Sequence, residues 1–300
     1  MRQVTHPTGR AMMQRRRATW TGFSAVLMWA LLALFTIGSA PVPPLLLNAM
    51  CFGIGGAIGL IWTLALGRGA LLRKISWRVY AFGTVGLFGS HLLYFTAFRL
   101  APSAETGLIA YLWPLFIVLL SGLLPGERLR PLHVIGATLA FGGAALIVVQ
   151  GGAVSSAGQW PGFAVALLFA VVWASYSVLS RGLGAVPTEC VTVFCLAASA
   201  FSGLAHLAFE TTVWPQDALG WASVLGLGIG PVGTAFFAWD IGMKRGNIQV
   251  LGVASYAAPL LSTIALVVAG IAKPSPTILL AAVSIAAGAA LAARASAGKA

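Results

Sequence analysis

The chain has 300 residues, of which 59% are hydrophobic and only 8% are charged, and its formal net charge is +12. A soluble domain carries about 25% charged residues, so this composition excludes an ordinary soluble fold and indicates that the bilayer is the solvent. In a membrane protein, positive charge is explained by basic cytoplasmic loops, so no nucleic-acid partner is predicted.

Apolar segments follow one another along the chain after a basic tail at residues 1–19. A segment of about 18–25 residues can cross about 30 Å of hydrocarbon, so we interpret each as a membrane span. Turn residues such as Pro41, Gly126 and Pro276 separate the segments. The predicted spans lie near 20–39, 44–66, 77–98, 102–123, 131–150, 160–181, 188–208, 217–243, 247–270 and 274–294. The predicted fold class is all-α integral membrane with ten transmembrane helices.

The distribution of basic residues supports this number of spans. Of the 18 Lys and Arg residues, only Arg99 and Lys273 fall on the side opposite the N-terminus. Because cytoplasmic loops carry the excess of Lys and Arg, both termini are predicted to be cytoplasmic. The expected location is the bacterial inner membrane.

Two segments, 94–114 and 239–259, align without a gap at an offset of 145 residues (259 − 114). The matches fall on residues with special backbone demands: Gly107 with Gly252, Tyr111 with Tyr256, and Pro114 with Pro259. This pattern predicts two homologous five-helix repeats, at 20–150 and 160–295. Because five is an odd number of spans, the repeats must have opposite topology, which is a common design of secondary transporters.

Motifs for catalysis and cofactor binding are missing. The sequence contains no phosphate-binding GxxxxGK[ST] loop, no HExxH and no glycine-rich dinucleotide loop. The six acidic residues place no two carboxylates on one helix face, and no His/Cys ligand cluster occurs. We therefore predict no enzyme activity, no cofactor and no metal site.

Aromatic and polar residues deep in the spans are the candidates for a binding cavity. Trp113, Trp173 and Trp239 lie far from the span ends, where an indole N–H needs a partner. His91 and Tyr94 share one face of the third span, and a histidine inside a bilayer is costly unless it meets a partner or water. For each of these residues, packing inside the bundle is the alternative.

Proline interrupts the fourth and ninth spans at equivalent positions. Pro114 and Pro259 each remove one helical hydrogen bond, so the freed carbonyls need protein or water nearby. Gly107 and Gly252 lie on nearly the same faces. We predict that these four residues are hinges at which the two repeats rock. A static kink is the alternative.

Several segments carry a resemblance to a known family. They include Ser90-His-Leu-Leu-Tyr-Phe-Thr-Ala-Phe98, Leu108-Ile-Ala-Tyr-Leu-Trp-Pro-Leu115, Val172-Trp-Ala-Ser-Tyr-Ser177 and Ser255-Tyr-Ala-Ala-Pro259. With its ten predicted spans, the chain resembles the drug/metabolite transporter superfamily in its EamA-type branch, and most resembles the YddG-type aromatic amino-acid exporters.

This resemblance implies export of amino acids or similar small metabolites by alternating access through a cavity between the repeats. With the residues above, it gives a predicted cavity wall of His91, Tyr94, Tyr111, Trp113, Trp173, Trp239, Ser255 and Tyr256. A transporter of another substrate, such as a drug or vitamin, is the main alternative, and a non-transport membrane protein is a second. A central site within one chain permits function as a monomer.

Overall fold

The computed structural model describes residues 9–149 and 159–297, and within them the chain is helical without any β-strand. Among the described residues, eight helices are long and apolar enough to cross a membrane, and two shorter apolar helices begin at Glu105 and Pro131. The helices are α1 (Gly9–Gly38), α2 (Pro44–Ala65), α3 (Trp77–Leu100), α4 (Glu105–Ser121), α5 (Pro131–Leu146, continuing to Val149), α6 (Trp160–Leu183), α7 (Cys190–Phe209), α8 (Ala218–Arg245), α9 (Ile248–Val268) and α10 (Pro276–Ala297).

The all-helical prediction is confirmed, and each predicted span overlaps one of these helices. The largest difference is at the beginning of α1. This helix starts at Gly9 rather than near residue 20, so residues 9–19 of the predicted tail are helical. Arg15 of this segment pairs with Glu127 at 3.1 Å, and the Thr19 hydroxyl accepts a hydrogen bond from the Asn247 N–H at 2.9 Å, so the segment packs on the bundle. Residues 1–8 of the tail and the predicted turn at Gly151-Gly152 lie outside the described residues.

Local signals explain where several helices begin. Asp217 caps α8 by accepting a hydrogen bond from the Gly220 N–H at 2.7 Å. Asn247 caps α9 in the same way, through the Val250 N–H at 3.2 Å. Prolines occupy the first turn of α2 and α6, where a missing N–H costs nothing.

Irregular backbone occurs at equivalent places in the two halves of the chain. A π-helical segment lies within α3 (Val85–Gly89) and another within α8 (Gly230–Thr234), again 145 residues apart (230 − 85). Regular helix is also interrupted at 111–112 in α4 and at 255–256 in α9. The interruptions come just before Pro114 and Pro259. A proline has no N–H, so it cannot donate the hydrogen bond that would continue the helix.

Helix packing is equivalent in the two halves of the chain. Where two helices pack against each other, the two helices five positions away along the chain pack in the same way. The pairs are α1 with α8, α3 with α6, α2 with α7, α4 with α9, and α5 with α10. In addition, α4 packs on α6 and α1 packs on α9. A ring of helices from both halves therefore surrounds the centre of the bundle.

The outside of the bundle is apolar and its two ends differ in charge. Large exposed side chains such as Leu207 and Val283 cover the helix surfaces. One end, called the basic end below, collects Arg68 after α2, Arg181 of α6 and Arg245 of α8. The other is called the opposite end. An apolar surface of this extent suits lipid rather than water, so the chain is a multi-pass membrane protein.

Candidate functional site

A cavity of about 610 Å³ lies at the centre of the bundle. Its wall comes from α1, α2, α3, α4, α6, α8 and α9, together with the loop that joins α1 to α2. The residues that line it are apolar, aromatic or neutral polar, and none of them is Asp, Glu, Lys or Arg. The cavity reaches Ala40 and Pro41 of that loop, which are exposed at the opposite end. A volume of this size suits a small organic molecule.

Four tryptophans from four helices meet at the inner end of the cavity, toward the basic end. The ring centroid of Trp29 lies 6.1 Å from Trp113, 6.3 Å from Trp173 and 5.1 Å from Trp239. Trp113 is also 5.8 Å from Trp239. Edge-to-face and tilted contacts of this kind fix aromatic rings relative to one another. Trp29, Trp113 and Trp173 line the cavity, so they present a rigid apolar wall to a ligand.

His91 has a defined orientation at the cavity wall. Its Nδ1 lies 2.8 Å from the carbonyl oxygen of Leu87, in the π-helical segment of α3. Since a carbonyl can only accept, Nδ1 carries the hydrogen and Nε2 is the acceptor of the neutral ring. Phe52 and Phe236 hold the ring, at centroid distances of 5.0 and 5.7 Å. His91 can therefore accept a hydrogen bond from a ligand.

Two tyrosines complete the predicted part of the wall. Tyr94 and Tyr111 both line the cavity, from α3 and α4. The Tyr94 ring is held by Phe98 at 4.6 Å and by Phe169 at 5.3 Å. A phenol hydroxyl can donate a hydrogen bond to a ligand carboxylate. The structure thus brings five predicted site residues together: His91, Tyr94, Tyr111, Trp113 and Trp173.

The other three predicted site residues lie behind the wall. Trp239 is buried beneath Trp29, and its Nε1 donates to the Ser177 hydroxyl at 3.1 Å. The buried Ser255 hydroxyl donates to the carbonyl of Leu251, one turn earlier in α9, at 2.8 Å. Ser255 is therefore satisfied by its own helix rather than turned toward a ligand.

Tyr256 joins the two interrupted helices. Its hydroxyl accepts a hydrogen bond from the N–H of Leu115 at 3.0 Å, just after the interruption in α4. Gly252, one turn earlier in α9, packs against the carbonyl of Pro114. Two of the four predicted hinge residues, Gly252 and Pro114, thus contact each other across the boundary between the two halves. The Tyr256 hydroxyl thus gives a hydrogen-bond partner to a backbone N–H beside the interruption in α4.

Sequence reasoning missed several polar residues of the cavity. Asn48 of α2 lines it and donates to the Ser202 hydroxyl at 2.7 Å. Ser262 of α9 lines it as well, and so does Ser90 of α3, whose hydroxyl donates to the carbonyl of Gly86 at 2.6 Å. An asparagine in an otherwise apolar span is a usable signal, because an unpaired amide in hydrocarbon is costly. In the sequence of the α1–α2 loop, no comparable feature indicates that this loop forms part of the cavity wall.

The cavity is closed toward the basic end by close helix packing. Between Trp239 and the basic end, Gly22 of α1 and Gly242 of α8 approach each other closely. A Cβ on either glycine would meet the backbone of the other. Leu251 of α9 is fully buried against both glycines. In α8, Lys244 pairs with Asp240 one turn earlier, at 2.9 Å. The cavity is therefore accessible from the opposite end only.

At the opposite end, Glu210 binds three helix ends together. Its carboxylate accepts hydrogen bonds from the N–H groups of Leu45 and Leu46 at the start of α2, at 3.1 and 3.2 Å. It also pairs with Arg99 at the end of α3 and with His206 of α7. Burial raises the pKa of the Glu210 carboxyl, but these partners outweigh burial and hold the pKa below its usual value. Glu210 therefore stays ionised and fixes this end of α2, α3 and α7.

The comparisons with known proteins agree with this architecture. The model of the EamA-like transporter family matches the chain twice, at residues 16–149 and 160–294. The chain is 51% identical to a protein of Ancylobacter novellus called aromatic amino acid exporter YddG, over 93% of this chain and 98% of the relative. A protein with the same name from Salmonella typhimurium is 26% identical, over 84% of this chain and 88% of the relative.

A solved crystal structure is also similar, with 52% sequence identity and a TM-score of 0.88. The similarity covers 93% of this chain and 98% of the chain in that structure. Family model, relatives and helical architecture lead to one conclusion. The chain belongs to the EamA-like transporter family.

Proposed function

We propose that this protein exports aromatic and other neutral amino acids through the central cavity. The observation that carries the proposal is the cavity itself, which is walled by tryptophan and tyrosine, contains no charged side chain and reaches the opposite end of the bundle. The relative called an aromatic amino acid exporter supports the same substrate class. A wall without net charge suits a zwitterion, whose own two charges cancel.

The wall offers a complementary contact for each part of an amino acid. Trp113 and Trp173 contribute apolar surface that buries and stacks on the side chain. The Nε2 of His91 accepts a hydrogen bond from the ammonium group, and the hydroxyls of Tyr94 and Tyr111 donate to the carboxylate. Since apolar surface and stacking tolerate many shapes, we expect a broad range of neutral amino acids to be accepted.

Counterflow tests the substrate class. In proteoliposomes, unlabelled phenylalanine, methionine or threonine inside the vesicle should drive accumulation of labelled phenylalanine, whereas organic cations should not. The same assay can be run with a labelled drug or vitamin. If only such a compound gives counterflow, the protein is a transporter with another substrate.

Alternating access through two inverted five-helix repeats is the proposed mechanism. The exchange-symmetric helix pairs, the two π-helical segments and the interruptions before Pro114 and Pro259 support such repeats. In the proposal, the two halves rock about the interruptions so that the cavity opens to one end at a time. Because all the wall residues come from one chain, a monomer suffices for this mechanism.

The proposed orientation places the basic end in the cytoplasm of a bacterial cell, because Lys and Arg collect there. Alkaline phosphatase folds only in an oxidising compartment, where its disulfides form. Phosphatase fused after Trp214, in the loop between α7 and α8, should therefore be active. Phosphatase fused after Pro125, between α4 and α5, should be inactive. Activity measured on intact cells in the reverse pattern would overturn the orientation.

A further inference from the structure

A charged cluster at the basic end connects both halves of the chain. Glu127, in the loop between α4 and α5, lies 2.7 Å from Arg181 of α6 and 3.1 Å from Arg15 of α1. Gln249 of α9 donates to the same carboxylate at 3.2 Å. The Glu127 side chain is only 6% exposed, although it lies outside the helices. One carboxylate therefore joins α1, α6 and α9.

Arg181 extends this cluster to α8. Its Nη1 donates to the carbonyl oxygens of Met243 at 2.8 Å and Gly246 at 3.0 Å, where α8 ends. The helices that meet here, α1, α6, α8 and α9, are four of those that surround the cavity. The cluster lies beyond the Gly22–Gly242 contact and Leu251, toward the basic end. Opening the cavity to this end would have to separate the same helices.

We propose that the contacts of Glu127 with Arg15, Arg181 and Gln249 form a latch that holds the basic end closed. This inference rests on the proposed alternating access. With Glu127 ionised, the two arginines are bridged by one carboxylate. Without it, two partly buried cations would face each other, which strongly disfavours the closed arrangement. The latch therefore sets how the protein divides between the states open to either end.

A second ion pair at the basic end provides a matched control. Arg68, which follows α2, lies 2.7 Å from Glu189, which precedes α7. Glu189 is as well buried as Glu127, with 4% of its side chain exposed. However, this pair joins α2 to α7, which pack against each other, and α1 and α9 take no part in it. Neutralising Glu189 should leave the closure of the cavity unchanged.

Cysteine alkylation at two reporter positions measures the state of each end. Leu251→Cys reports the basic end, because Leu251 is fully buried in the closed layer. Ser262→Cys reports the opposite end, because Ser262 lines the accessible cavity. Mass spectrometry of the purified protein distinguishes these sites from the three native cysteines, which are buried.

We expect Glu127→Gln to raise alkylation of Leu251→Cys about tenfold or more and to lower alkylation of Ser262→Cys, because Arg15 and Arg181 lose the carboxylate that they share. Glu189→Gln should change neither rate. If Glu127→Gln does not fold, Arg15→Gln removes the more exposed partner and should give the same reciprocal change at about threefold.

Unchanged rates, or a rise at both reporters, would overturn the latch, because a rise at both means general loosening rather than a shift between states. Counterflow by the wild type tests the transport function separately. Normal counterflow together with unchanged alkylation in Glu127→Gln would therefore reject the latch and leave the proposed function standing.

Discussion

Trp113→Ala is expected to lower phenylalanine counterflow at least about tenfold while leaving the protein able to insert and purify as a monodisperse species. Trp113 lines the cavity and contacts Trp29, Trp173 and Trp239, so its loss removes apolar wall and loosens the remaining rings. Truncating a central aromatic contact typically costs about 2 kcal/mol or more. His91→Ala should have a similar effect, since it removes the acceptor for the ammonium group.

Two further variants separate binding from folding. Trp160 is 72% exposed at the start of α6, so Trp160→Ala changes a tryptophan on the outer surface and should leave counterflow near the wild-type rate. Trp113→Phe keeps an aromatic ring and should restore much of the activity if Trp113→Ala is unstable. Full activity in both Trp113→Ala and His91→Ala would remove these residues from the site.

Pro114→Ala and Pro259→Ala are expected to reduce transport more than stability. Alanine supplies the N–H that proline lacks, so the interrupted helices α4 and α9 can become continuous. A stiffer hinge raises the barrier between the two states, and we expect about a tenfold slower turnover, which corresponds to about 1.4 kcal/mol. Counterflow and thermal unfolding of the same preparations measure the two effects.

Pro161→Ala is the matched control for the hinge prolines. Pro161 lies in the first turn of α6, where a proline interrupts no helical hydrogen bond. Its replacement should leave both counterflow and stability nearly unchanged. Wild-type counterflow in both Pro114→Ala and Pro259→Ala would reject the hinge and leave a static kink.

The aromatic part of the site could be predicted because tryptophans deep in a span have few roles. Their depth in the sequence singles out Trp113, Trp173 and Trp239, and the structure brings all three into contact with Trp29. His91 was recognised because a histidine in hydrocarbon needs a partner, which is the carbonyl of Leu87. Depth and polarity alone therefore identify the residues that need a partner inside the bundle.

Sequence reasoning could not determine which of these residues face the ligand. Tyr111 and Tyr256 are equivalent in the alignment of the halves, yet Tyr111 lines the cavity whereas Tyr256 bonds to the backbone of α4. The difference arises because only one end of the bundle is open, so equivalent positions meet different surroundings. For the same reason, the cluster of Glu127 with Arg15 and Arg181 could not be predicted, since these residues are far apart in the chain.

Counterflow of phenylalanine shows whether the protein transports an amino acid at all. Purified wild-type protein is reconstituted into vesicles loaded with unlabelled phenylalanine, and labelled phenylalanine is added outside. We expect transient accumulation well above that in protein-free vesicles, and this accumulation should vanish when no phenylalanine is trapped inside. No accumulation with phenylalanine or any other neutral amino acid, from protein shown to be folded, would contradict an amino-acid exporter.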